Sequence, residues 1–80
     1  LSPDKIIERY IAQDDIQKSL NYLTSIVPDG NPELHQQLIL LKSNYTRYMH
    51  LKTKRLETTE TLEIQRNRIK QSILHFIVNL

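Results

Sequence analysis

Cysteine and tryptophan are missing from this chain, glycine occurs once, and proline appears only at positions 3, 28 and 32. Without cysteine there is no disulfide framework and no thiol nucleophile, and nothing ties the chain to an oxidising compartment. The single Gly30 cannot build a phosphate-cradling loop, and Ser19, Ser25, Ser43 and Ser72 have no glycine elbow around them. The longest uninterrupted apolar run is Leu38 to Leu41, far short of the ~20 residues a membrane-spanning helix needs. No basic-then-apolar leader opens the chain, so no export signal is visible and the cytoplasm is the expected compartment. The opening residue is not methionine, which points to a piece excised from a longer, multidomain protein.

Eighty residues are expected to form one domain, spanning 1–80. A chain this short buries only about 60% of the surface its unfolded form exposes. With no disulfide or metal to hold it, a stability of roughly 3–5 kcal/mol is expected. Hydrophobic residues make up 39% and charged residues 25%, a balance that fits a packed fold and not a disordered one. The formal net charge of +2 conceals a division. Residues 1–37 carry Lys5, Arg9 and Lys18 against Asp4, Glu8, Asp14, Asp15, Asp29 and Glu33, a net of −3, whereas residues 38–80 carry eight cations against Glu57, Glu60 and Glu63, a net of +5. A domain with one acidic and one basic end can dock head to tail with copies of itself, or face two different charged partners.

The scarcity of glycine and proline favours helices with few breaks. Ser2-Pro3-Asp4 reads as a helix start, with serine as cap, proline at the first turn and aspartate at the positive helix end. Ile6, Ile7, Tyr10 and Ile11 form its apolar stripe. Asp14 is expected to begin a second helix, with Gln17 completing a weak capping box and Ile16, Leu20, Leu23 and Val27 forming its stripe. Pro28-Asp29-Gly30-Asn31 is a turn in which Gly30 can take positive φ and Asn31, followed by Pro32, caps the third helix. That helix is expected from Pro32 to about Glu57, with Leu34, Leu38, Leu41, Tyr45 and Tyr48 at alternating spacings of four and three, extended by Leu51 and Leu56. Thr58-Thr59 marks the next start. Leu62, Ile69, Ile73, Phe76 and Leu80 then recur at helical spacing, widened by Leu74 and Ile77. No stretch alternates with period two, so no strand is expected. The pattern predicts an all-α fold: a small four-helix bundle of two short helices followed by two long antiparallel ones.

One stretch invites a different reading. "LILLKSNYTRYMHLKTKR", residues 38–55, holds five of the eleven Lys/Arg and two tyrosines, with no acid among them. Basic residues interleaved with aromatics can bind nucleic acid, and a basic helical nucleic-acid-binding module is the alternative function. Stacking on bases, however, needs exposed rings beside the charges. Tyr45 and Tyr48 fall on the apolar stripe, while Lys42, Arg47, Lys52, Lys54 and Arg55 mostly fall off it. The tyrosines are therefore expected inside, the cations outside, and nucleic acid is not the expected partner. His35, His50 and His75 are too far apart in sequence for a shared metal at helical spacing. Glu57, Glu60 and Glu63 are explained by the helix dipole and by pairing with Arg66 or Lys70. No residue set requires a cofactor or a metal, and catalysis is not expected.

"ELHQQLILLKSNYTRY" followed by "LEIQRNRIKQSILHFI" resembles the effector-associated domain, type eleven, a small helical module of prokaryotic conflict systems. The positions that carry the resemblance are Glu33 and Leu34, the run Leu38–Leu41, Ser43, Tyr45 and Arg47, then Ile64, Asn67, Arg68 and Ile69. One departure stands out: a glycine often precedes the last helix in that family, and Lys54–Thr59 contains none. The resemblance implies a non-enzymatic adaptor in prokaryotic immunity. Its expected partner is a related helical adaptor domain on the same or another protein, including a homo-oligomer, with an effector domain elsewhere in its own chain. The effector would be a protease, a TIR domain or another toxic enzyme. The expected interface comprises Lys42, Arg47, Lys52, Lys54 and Arg55 on the basic side and Asp14, Asp15, Asp29 and Glu33 as acidic complements. Arg47 and Arg68 have two readings, interface contacts, or helix-surface salt bridging and guanidinium packing across the two long helices.

Overall fold

The computed structural model describes residues 2–80. It contains α1 (Pro3–Ala12), α2 (Ile16–Ile26), α3 (Pro32–Lys54) and α4 (Thr59–Val78), two short helices followed by two long ones, as the periodicity predicts. The antiparallel α3/α4 pair is the most extensive contact; α1 packs on α2 and α4, and α2 also packs on α3. The short pair thus lies on one side of the long pair and leaves the other side uncovered.

The helices meet along the stripes read from sequence. Ile16, Leu20, Leu23 and Val27 are all buried, so the whole stripe of α2 faces inward. On α1 only Ile7 is fully enclosed, and Ile6, Tyr10 and Ile11 are half-buried. Leu34, Leu38, Leu41 and Tyr48 of α3 meet Ile69, Ile73, Phe76 and Ile77 of α4 in one continuous core, with Tyr45 and Leu62 at its edge. Ser19 is the one buried polar residue among those described. Its hydroxyl donates to the Asp15 carbonyl at 3.2 Å, which removes the cost of enclosing an unpaired polar group.

Length explains the shape. At 1.5 Å per residue α3 spans about 34 Å, while α1 and α2 reach about 15 Å each, so the short pair covers roughly half of the long hairpin. Every residue from Lys52 to Glu60 is exposed. The α3–α4 hairpin tip therefore projects beyond the rest, and Leu56 lies on it 61% exposed instead of extending the core. Leu80 falls past the end of α4 and is 44% exposed, so the last position of the predicted stripe does not pack.

Two helix starts follow the sequence signals. The Asn31 side chain accepts from the Leu34 N–H at 3.1 Å, and Thr58 Oγ1 accepts from the Thr61 N–H at 3.2 Å. Ser2 makes no side-chain cap bond, leaving Pro3 and Asp4 to start α1. The corners differ from expectation. Asp14 does not begin α2; it sits in the left-handed region at φ 61°, and Asp15 is the cap, accepting from the Lys18 N–H at 3.2 Å. α3 stops at Lys54, three residues before the expected Glu57, because Arg55 turns left-handed at φ 55°. Gly30 can take positive φ but does not adopt it here.

Both left-handed residues close a helix in the same way. The Asp15 N–H donates to the Tyr10 carbonyl and the Asp14 N–H to Ile11; the Leu56 N–H donates to Leu51 and the Arg55 N–H to Lys52. This pairing is the Schellman closure, in which glycine is the usual left-handed residue. Left-handed backbone costs an L-residue with a Cβ about 1–2 kcal/mol. Aspartate tolerates it better than arginine, so Arg55 is the more strained of the two. Arg55→Gly should raise the melting temperature by roughly 3–6 °C, since a net gain of ~0.5–1 kcal/mol remains after the extra unfolded-state freedom of glycine. A calorimetric scan showing a lower midpoint for Arg55→Gly would contradict this account of the corner.

Candidate functional site

The structure separates the basic residues that sequence groups together. Lys42 and Arg47 line a shallow depression on one flank of α3 with Ile39, Ser43, Thr46 and His50. Arg47 also lines a second concavity of about 250 Å³ between α3 and α4, with Asn44, Gln65, Arg68, Ile69 and Ser72. Lys52, Lys54 and Arg55 stand apart from both, on the projecting tip.

The acidic residues divide as well. Asp29 and Glu33 are exposed at the α2–α3 corner, at the start of α3 and so at its far end from Lys52, Lys54 and Arg55. Asp14 and Asp15 occupy the α1–α2 corner, close enough to Tyr45 and Lys52 for charge to be felt. The negative and positive halves of the sequence therefore do not become two ends of the molecule.

Asp14 is already engaged. Its carboxylate accepts a hydrogen bond from Arg66 Nη1 at 2.9 Å and is paired with Lys70 Nζ. The Lys70 hydrogen bond holds the Asp14 carboxyl below the ordinary carboxylate value; burial opposes this, and the charges of Arg66, Lys70 and Lys52 reinforce it. Arg66 and Lys70, expected to pair with Glu57, Glu60 or Glu63, instead clamp the α1–α2 corner onto α4. The reason is tertiary: Asp14 arrives from 52 residues away, and helical spacing cannot anticipate it. Arg66 Nε is buried with no hydrogen-bond partner among the described residues, so the clamp includes one unmet donor. Asp15 pairs with Lys18 at 3.6 Å.

The tyrosines occupy the positions the stripe predicts. Tyr48 is 5% exposed and Tyr45 half-buried, their rings stacked with centroids 6.2 Å apart. Burial, aided by Tyr48, Asp15 and Asp14, pushes the Tyr45 hydroxyl above its ordinary value. Tyr10 and Tyr22 are also half-buried and Phe76 is buried, so each of the five aromatic rings is at least partly covered. Among the described residues no aromatic ring is fully exposed, which weakens the support for a nucleic-acid interface of the 42–55 face.

The α3/α4 groove is the feature that sequence reasoning missed. Its first concavity continues into a second of about 140 Å³ lined by Gln37, Leu40, Leu41, Asn44, Ser72, His75 and Phe76. Arg47 and Arg68 lie 21 residues apart and meet only because α3 and α4 run antiparallel. Neither has a carboxylate within ion-pair distance among the described residues, so the structure supplies no salt bridge across the long helices. Among those residues, no cluster of three or more His, Cys, Asp and Glu could hold a metal, and no helix is long and apolar enough to cross a membrane.

Comparison with known proteins adds one finding: residues 5–80 match the family model described as Effector-associated domain 11. No curated protein and no solved structure matches the chain.

Proposed function

The chain belongs to the effector-associated domain 11 family, a family of small non-catalytic adaptor-type domains, and from that premise we propose that it recruits or oligomerises an attached effector by binding a related domain. Association is like-with-like, in the manner of death-fold modules, and operates in the cytoplasm as part of a prokaryotic defence system. The observation that carries this reading is the family match over residues 5–80. The charged surface supports it. Lys52, Lys54 and Arg55 are exposed at the hairpin tip, and Asp29 and Glu33 are exposed at the opposite end of α3. Complementary charges placed this way steer encounter and fix orientation. Raising the local concentration of attached effectors then activates them without any new chemistry.

Reversing charge at Lys52, Lys54 and Arg55 together should weaken self-association roughly tenfold or more, at ~0.2–1 kcal/mol for each exposed attraction turned to repulsion. The fold should survive, because none of the three belongs to the core. Light scattering across a concentration series reads the outcome, and unchanged assembly of the triple variant counts against the assignment.

A further inference from the structure

We propose that the α3/α4 groove is a socket for the Asp29–Gly30 corner of a second copy of this chain, so that the domains assemble head to tail. The inference rests on the like-with-like reading above and gives it a specific contact.

Arg47 and Arg68 line one small concavity whose other lining residues are Asn44, Gln65, Ile69 and Ser72. Like charges gathered without an acid repel each other, and an incoming carboxylate relieves that repulsion. Arginine is suited to this because its planar fork can donate two parallel hydrogen bonds to one carboxylate. The amides and hydroxyl beside the arginines can complete the solvation of the bound anion. The concavity beside the two arginines is about 250 Å³. It admits a side chain and a tight turn, not a whole helix.

Among the described residues, the α2–α3 corner has that form. Asp29 is fully exposed, and His35 Nε2, 3.9 Å away, is its only ion-pair neighbour among the described residues. Gly30 follows it with open space where a Cβ would stand, so the corner is narrow. The Asn31 cap and the Asn31 N–H to Pro28 carbonyl bond, at 3.3 Å, hold the corner in shape before it binds. Glu33 follows on the first turn of α3. Asp14, by contrast, is occupied by Arg66 and Lys70. Socket and corner are different surfaces on one copy, so each bound copy leaves one of each free, and the assembly extends until it closes or is capped.

The test uses sedimentation velocity on the full chain, the double variant Arg47→Glu/Arg68→Glu and the single variant Asp29→Arg. Wild type should grow into larger species with concentration. Each variant alone should associate at least 30-fold more weakly, about 2 kcal/mol at 1.4 kcal/mol per factor of ten. An equimolar mixture of the two should assemble again where neither does alone, because the intact corner of one fits the intact socket of the other and the two reversed surfaces also complement each other in charge. Gly30→Tyr supplies a steric check: nothing lies within 4 Å of where a Cβ would stand and the residue is exposed, so folding, read by circular dichroism, should persist while assembly is lost. If wild type and both charge variants assemble alike, the socket is overturned while the adaptor reading stands on the hairpin-tip triple variant. Wild type remaining monomeric at all concentrations overturns both. Duplex DNA binding that is lost in the double variant, with self-association intact, reassigns the two arginines to phosphate and overturns the socket.

Discussion

Ile73→Ala is expected to take away most of the stability of the fold and leave a large unfolded population at 25 °C. Ile73 is fully buried on α4, the helix that contacts both α3 and α1, so its side chain sits where the two layers meet. Removing the outer carbons of a buried isoleucine costs about 2–5 kcal/mol, the lost transfer energy plus the cavity left behind. A core this small provides only ~3–5 kcal/mol in total, and the two figures overlap. Ile73→Val removes a single methylene, costs about 0.5–1.5 kcal/mol, and should stay folded with a lower midpoint. Ile64→Ala, at a position 54% exposed on the same helix, should fall within about 0.5 kcal/mol of wild type. Circular dichroism during urea denaturation separates the three, and a near-native midpoint for Ile73→Ala would show that α4 is not the centre of the core.

Asp14→Ala should be the most damaging change outside the core, at about 1–2 kcal/mol. It removes a carboxylate shared by two cations and leaves a residue with no taste for left-handed backbone at φ 61°. The electrostatic share is modest, because the side chain is 45% exposed and solvent screens such pairs to ~1 kcal/mol or less. Substitutions divide the two contributions. Asp14→Gly keeps the backbone and loses the charge; Asp14→Asn loses the charge and keeps much of the tolerance for this conformation. Both should lie between wild type and alanine. The pH dependence carries a definite sign. The folded carboxyl titrates below the unfolded one, so its stabilisation is complete above about pH 4 and disappears as pH falls through the folded value. Asp14→Asn should therefore lose less stability than wild type between about pH 4 and pH 2; parallel acid limbs in thermal melts would show that the clamp is not electrostatic.

These corners also show where sequence is informative. Spacing located every core residue of α2 and all but the edge positions of α3 and α4, since burial of a helical stripe is a local pattern. Asn31 and Thr58 announced their caps because a short polar side chain before an apolar run has one main use there. The helix ends were harder to read. Glycine is the usual signal for a left-handed closure, and the two closures use Asp14 and Arg55, while the lone glycine serves a turn that does not require positive φ. The Asp14 clamp and the Arg47/Arg68 pairing depend on which helices lie side by side, so neither has a local signature. Arg47 was visible beforehand as one cation of the 38–55 stretch, and both arginines as members of the motifs that resemble the family, but not as the lining of one groove.

The overhang of the long hairpin has a consequence for how the molecule breathes. Lys52 to Glu60 have no second layer above them, so their amides are protected by little beyond the last turn of α3 and the first of α4. Local opening there leaves the packed half intact, whereas amides near Ile73 are released only when everything melts. The tip can thus fray and re-form at low cost, a supple end on a rigid body.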